Sequence, residues 1–268
     1  MIVRFRKMHG AGNDFVVLDH REAFLPRDRR ALFARWCDRR RGIGADGVLL
    51  LERDPEAHFA MRYHNADGGV AEFCGNGARC IARFAFDLGL GDSGEVRFRT
   101  DAGLKRARAF ADGRVALWFG AVDAGESLVL EAAGQSFAGR RVTTGVPHLV
   151  IPVPRVADIP FAAWAPALRS HPQLGPAGAN VDFVERLPDG RVAMRTWERG
   201  VEGETLACGS GAMASALWAV LEGARPPVTI HTAGGEDLTV DFTNGNAGRE
   251  ATLTGPAVTV YEGELRLP

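Results

Sequence analysis

The chain has 268 residues, 46% of them hydrophobic and 24% charged, with a formal net charge of -1. That length can bury a large core, as one big domain or as two of about 130 residues. The charge offers nothing to a nucleic-acid partner, no apolar run reaches the roughly 18 residues of a membrane span, and the opening MIVRFRKMHG lacks a signal-peptide core; the expectation is a cytoplasmic, enzyme-sized protein with no nucleic-acid or membrane partner.

In chain order, MIVRFRKMH opens with a predicted strand, and a surface helix is predicted over Arg27 to Arg39. VLLLER, FAMRYHN, VRFRT and VALWFG follow as strands, alternating in polarity or rich in β-branched and aromatic residues. A strongly apolar helix starts after Cys74 and closes at Gly89. The second part repeats the pattern: a surface helix from Pro160 to Ser170, strands at VAMRTWE, VTIHT and LTVDF, and an apolar helix after Cys208 closing at Gly223. Asp112-Gly113, Asp189-Gly190 and Asn244-Gly245 are hairpin signals.

The repetition extends to residues. At an offset of 133, GNDFVVL from Gly12 lies against GVPHLVI from Gly145, GVLLLERDP from Gly47 against NVDFVERLP from Asn180, and AMRYHN from Ala60 against AMRTWE from Ala193. CGNGA at Cys74 and CGSGA at Cys208 then meet at an offset of 134, and VRFRTDAG from Val96 meets VTIHTAGG from Val228 at 132. Such ordered self-similarity indicates duplication. The expected fold is α+β, with two pseudo-symmetric halves, each a curved, mostly antiparallel sheet around a central apolar helix. The halves are 1–118, to which a C-terminal segment 256–268 returns, and 119–255.

A helix buried on nearly all sides offers its first N–H groups, and the positive end of its dipole, to an anion. Glycines let the backbone approach a ligand, and a cysteine at that end has its thiol pKa lowered. Each Cys-Gly-x-Gly block therefore predicts an anion site with an activated thiol. Two such sites facing one another could share a carboxylate, with one thiol on each face of the adjacent carbon, which suits proton removal from one face and return to the other. Cys37 and Cys80 read as packing residues. Neither CxxC pairs nor HExxH occurs, so no metal is expected. Lys7 and Lys105 are the only lysines, and neither looks like a Schiff-base anchor, which argues against a pyridoxal cofactor.

The blocks MHGAGNDFVVLD, RRRGIGADGVLL, HNADGGVAEFCGNGARC, NVDF and WERGVEGETLACGSGA closely resemble those of diaminopimelate epimerases. The resemblance implies a cofactor-independent, two-thiol enzyme that interconverts LL- and meso-diaminopimelate on the route to lysine and cell wall. It implies that Cys74 and Cys208 are the catalytic cysteines. Gly75 and Asn76, and Gly209 and Ser210, would cradle the reacting carboxylate. Asn13, Asn65, Asn180, Glu198 and Arg199 would bind substrate, His148 and Glu198 would tune the thiols, and Tyr261 would lie near a homodimer interface. The chain departs from the family pattern at Val146, where asparagine is usual, and at Gly47, where glutamine is frequent. The alternatives are a racemase of another amino acid on the same fold, such as histidine or proline, a PhzF-like isomerase that shares the architecture, and a non-catalytic carboxylate-binding or thiol redox protein.

Overall fold

The computed structural model describes residues 1–245 and 248–267. The chain divides into two compact units, Met1–Trp118 with Thr254–Pro268, and Phe119–Leu253. The first contains β1 (Ile2–Gly10), β2 (Asn13–Asp19), α1 (Arg30–Cys37), β3 (Gly47–Glu52), β4 (Phe59–Asn65), β5 (Val70–Ala71), α2 (Gly75–Asp87), β6 (Glu95–Thr100), β7 (Gly103–Ala109) and most of β8 (Arg114–Ala121). The second contains β9 (Ser127–Ala132), β10 (Gln135–Thr143), β11 (Pro147–Pro152), α3 (Phe161–Arg169), β12 (Asn180–Arg186), β13 (Val192–Glu198), β14 (Gly203–Thr205), α4 (Gly209–Leu221), β15 (Val228–His231), β16 (Asp237–Gly245) and much of β17 (Gly248–Pro256). The last strand, β18 (Val258–Arg266), belongs to the first unit.

The pairings of the two units match strand for strand. β1–β2, β3–β4 and β4–β5 are antiparallel, as are β10–β11, β12–β13 and β13–β14. The parallel pairs are β2–β3 and β4–β6 in one unit, and β11–β12 and β13–β15 in the other. One strand is supplied differently. β9 pairs antiparallel with β10 as the arm of a local hairpin, whereas the same position beside β1 is filled by β18, from the far end of the chain.

The apolar runs of β2 and β3 are buried on both faces, which is why they read as continuous rather than alternating. Phe15 and Leu49 lie against α2 at Gly77. Val16, Leu18, Val48 and Leu50 face a second cluster with Phe33 and Trp36 of α1. The second unit has the equivalent outer cluster, where Leu149, Ile151, Val181 and Phe183 meet Phe161, Ala165 and Leu168 of α3. α2 packs against β1, β2, β3, β4, β6 and β7, and α4 against β10 to β13, β15 and β16, so each sheet wraps its helix. Both helices end in the same way. Gly89 N–H bonds to Phe86 O and Leu90 N–H to Ala85 O, and Gly223 N–H bonds to Val220 O and Ala224 N–H to Ala219 O. Both glycines have positive φ, +74° and +94°, the left-handed conformation that this helix exit requires.

α1 is shorter than the predicted Arg27–Arg39. Asp38 turns extended, and its carboxylate accepts from the N–H groups of Arg40 and Arg41, drawing the chain out of the helix. Asp112-Gly113 and Asp189-Gly190 form turns closed by Phe110 N–H to Arg114 O and Leu187 N–H to Arg191 O. Asn244-Gly245 ends β16, and the connection that follows lies outside the described residues. No helix among the described residues is long and apolar enough to cross a membrane.

Candidate active site

In the first unit the candidate residues gather where β2 and β3 begin and β4 ends. Gly47 pairs with Phe15 on one side and with Asn65 on the other. Cys74 caps α2 with an extended backbone, φ -141° and ψ 120°, and its carbonyl accepts the first helical bond from Ala78. Its thiol donates to Asn13 Oδ1 at 3.4 Å, and Asn76 Nδ2 donates to the same oxygen at 3.4 Å. Asn13 Nδ2 in turn donates to Asp46 Oδ2 at 2.7 Å, which fixes the amide's orientation. Cys74, Gly75, Asn76 and Asn13 therefore form one cluster. Asn65 stands at the end of β4, exposed.

Gly47 has no room for a side chain. A Cβ there would lie 2.6 Å from Tyr63 Cε2 and 2.5 Å from the His64 carbonyl oxygen. The departure from glutamine at this position is thus accommodated by the Tyr63 ring, which fills the space.

In the second unit Cys208 caps α4, φ -112° and ψ 113°, and its sulfur accepts from Gly211 N–H at 3.4 Å. Ser210 Oγ lies 3.4 Å from the same sulfur, and Thr144 Oγ1 donates to the Ser210 carbonyl at 3.2 Å. Glu198 accepts from Thr205 Oγ1 at 2.6 Å, and its carboxylate acts on the Cys208 thiol through its charge. His148 is completely buried, with Nδ1 2.7 Å from Asp182 Oδ2 and Nε2 3.3 Å from Asn180 Nδ2. Asn180 Oδ1 accepts the Arg199 backbone N–H at 2.7 Å, tying Arg199 to the same corner. Glu198 therefore acts on the thiol by charge, whereas the ring of His148 is engaged by Asp182 and Asn180. Tyr261 lies on β18, exposed and edge-on to Phe5.

The expectation that each helix start lowers its thiol's pKa fails at Cys208. Burial pushes that thiol well above its ordinary value, and the Glu198 and Asp182 carboxylates push it further; the contacts from Ser210 and Gly211 oppose the shift without reversing it. Burial also raises the Glu198 carboxyl against the opposing effects of Thr205 and Cys208. Cys37 and Cys80 are pushed up by burial to about 11 and about 12, which marks them as packing residues.

Sequence reasoning missed Asp182, Thr196 and Arg79. Asp182 is completely buried and bonded to both His148 and Thr196 Oγ1, the latter at 2.7 Å. Its signal was available: a charged residue in the middle of the apolar strand NVDFV. The second glycine of each block also has a role that was assigned to ligands. A Cβ at Gly77 would meet Leu49 Cδ2 at 3.1 Å, and one at Gly211 would meet Asp182 Oδ1 at 2.5 Å. These glycines let the helix start rest on the sheet. Among the described residues no group of three or more His, Cys, Asp or Glu is placed to hold a metal.

A family model described as diaminopimelate epimerase matches residues 5–127 and 140–260. The diaminopimelate epimerase of Aquifex aeolicus is 39% identical over 275 residues, covering 98% of each chain. That of Methanocella arvoryzae is 41% identical over 279 residues, covering 98% of this chain and 96% of its own. Among solved structures, a phenazine biosynthesis protein of the PhzF family from Bacillus anthracis superposes with a TM-score of 0.76 over 100% of both chains, at 13% identity, a likeness in fold alone. With its two capped thiols and a match along nearly its whole length, the chain belongs to the diaminopimelate epimerase family.

Proposed function

We propose that the protein is a cofactor-independent epimerase that interconverts LL- and meso-diaminopimelate, on the route to lysine and cell wall. The observation that carries this reading is the pair of cysteine-capped helix starts, at Cys74 and Cys208, in a chain related over its whole length to diaminopimelate epimerases. One thiol, ionised, takes the α-proton, and the other, protonated, returns a proton to the opposite face. The turnover leaves the two sulfurs with exchanged protonation, ready for the reverse reaction. Negative charge developing on the substrate carboxylate meets backbone N–H groups at Gly75 and Asn76, and at Gly209 and Ser210; a single donor of this kind is worth about 10²–10³ in rate. Asn13, Asn65, Asn180, Glu198 and Arg199 hold the remainder of the amino acid. Glu198 and the His148–Asp182 pair set thiol acidity.

The cytoplasm, which keeps thiols reduced, is the compartment this chemistry needs. A homodimer using the exposed Val258, Val260 and Tyr261 of β18 completes the proposal. Sedimentation should give a dimer that Tyr261→Asp weakens, and a monomeric parent would remove that part of it.

The decisive experiment is proton NMR in D2O with reduced protein, no added cofactor, and LL-diaminopimelate beside histidine, proline and glutamate. Deuterium entering the diaminopimelate α-position, with meso product, is the expected result. Exchange confined to another amino acid would move the substrate and keep the two-thiol chemistry. No exchange in any, with reduced thiols verified, would leave a binding or redox protein.

A further inference from the structure

Arg79 sits in α2, five residues beyond Cys74, and is completely buried. Its Nη2 donates to Asn76 Oδ1 at 2.8 Å and its Nε to the Pro256 carbonyl at 3.3 Å, while Nη1 has no hydrogen-bond partner. Guanidinium stays protonated under all ordinary conditions. A buried cation without a counter-charge is costly, so the fold has reason to place an anion near it. The opposing charges that act on Arg79 come from two thiols, Cys80 and Cys74. Cys80, pushed up to about 12 by burial, is neutral near pH 7. Cys74 is the one that remains.

We propose that Arg79 is the buried counter-charge of the Cys74 thiolate and a positioning residue for proton transfer at that sulfur. It holds Asn76 Oδ1, so that Asn76 Nδ2 turns toward Asn13 Oδ1 beside the sulfur. Asp46 holds the other end of the same chain of amides through Asn13 Nδ2. The thiol's contact with Asn13 favours the protonated form, but at 3.4 Å it is a weak neutral bond. A full charge acting through protein interior outweighs it. Glu72, two residues before Cys74, is exposed, and several charged or titratable groups on the neighbouring elements have partners of their own. Asp14 is paired with Lys7 and Arg39, and Asp46 with Arg39. Lys105 lies over the Phe73 ring, His9 Nδ1 accepts from Gly12 N–H, and His64 Nδ1 faces the Gly68 carbonyl.

The inference bears on the epimerase reading only through its consequence for catalysis, and it is tested without substrate. In the full-length Cys208→Ser chain, alkylation of Cys74 by iodoacetamide is followed against pH by peptide mass spectrometry. Cys37 and Cys80, at about 11 and about 12, stay silent below pH 10. Cys74 is expected to titrate below the ordinary cysteine value of about 8.5. Adding Arg79→Met should raise its pKa by about one unit, a roughly tenfold loss of alkylation rate at pH 7. Arg79→Lys keeps the charge and should stay within about threefold of the parent. An Arg79→Met profile that superimposes on the parent overturns the proposal. So does a parent Cys74 that titrates at or above about 8.5, which decides the matter even where Arg79→Met does not fold. A low Cys74 pKa in a protein that exchanges no α-proton would instead sink the epimerase reading and leave this inference standing.

Discussion

The two helix starts share a backbone and differ in what lies beneath it. Both are thirteen-residue helices capped by a cysteine with extended φ and ψ. Under Gly77 lie Leu49 and Phe15; under Gly211 lie Asp182 and Thr196. By the repeat offset, Phe15 corresponds to His148, Leu49 to Asp182 and Tyr63 to Thr196. The helices themselves are complementary, since the buried Arg79 of α2 stands where α4 has the buried Met213. One half sets its thiol over an apolar floor with a cation in the helix, and the other over carboxylates with none. Duplication thus kept the geometry and reversed the electrostatics. The proposed two-thiol reaction needs one sulfur ionised and one protonated, and with Arg79 as the proposed counter-charge of Cys74 these unlike surroundings would favour that difference.

The largest effects should come from the thiols. Cys74→Ala and Cys208→Ala are each expected to lower epimerisation by at least about 10²–10⁴, since on the proposed mechanism each removes a group that transfers a proton. α-Proton exchange with diaminopimelate in D2O measures this, and full activity in either variant would end the two-thiol reading.

Next is the floor beneath α4. Asp182→Ala leaves His148 and Thr196 without their shared acceptor and should cost about 1–3 kcal/mol for each stranded group in urea unfolding. Its counterpart, Leu49→Ala, creates an ordinary core cavity and should cost about 2–5 kcal/mol. Stability alone does not separate the two, whereas Cys208 acidity does. Only Asp182→Ala removes a carboxylate that raises Cys208, so only it should shift alkylation of Cys208 in a Cys74→Ser chain to lower pH. An equal shift from Leu49→Ala would break the comparison.

The helix starts themselves can be tested with one methyl group. In Gly77→Ala the new methyl meets the end of the flexible Leu49 side chain, and helix propensity partly offsets the contact, so the net change should stay within about 1 kcal/mol. In Gly211→Ala it meets an Asp182 oxygen that His148 and Thr196 hold in place, and the overpacking should cost about 1–3 kcal/mol. Equal costs in thermal unfolding would mean that the Asp182 pocket yields as readily as a leucine side chain.

These contrasts explain what could be read from the sequence. The repeat, eight of the strands and both central helices were legible, because burial on one or both faces imposes a pattern on every residue of an element; the more exposed β7 and β9 carry less of that pattern. The thiols were legible because a cysteine before Gly-x-Gly at a helix start is a local feature. Asp182, Thr196 and Arg79 were not, because each acts through a partner distant in sequence or from a position that looks like ordinary core. The direction of the Cys208 shift was missed for the same reason. Helix position argued for a lowered pKa, while Glu198 and Asp182 act on the sulfur only once the sheet is folded.

The smallest effect is in the pH dependence of stability, and it should have opposite sign in the two halves. Burial alone would raise the Asp14 carboxyl of the first unit, but Arg39 and Lys7 more than reverse this and hold it well below the carboxylate range. The unfolded chain then binds the proton more readily, so the stability this group contributes is present above about pH 4 and is lost as pH falls below it. Burial holds the Glu198 carboxyl of the second unit above its ordinary value, so there the folded chain binds the proton more readily. Its contribution is complete below about pH 4 and is lost as pH rises through the raised folded pKa. Cys208 repeats that behaviour above about pH 8.5. Urea unfolding of Glu198→Gln against pH isolates the effect. The substitution fixes a neutral group at the site, so the difference from the parent should favour the variant increasingly as pH rises from 4 to 8. Asp14→Asn should show the reverse, losing most relative to the parent near neutral pH and least in acid. Parallel profiles for the two variants would mean that the halves do not differ in field, and the proposed contrast between Cys74 and the raised Cys208 would fail with them.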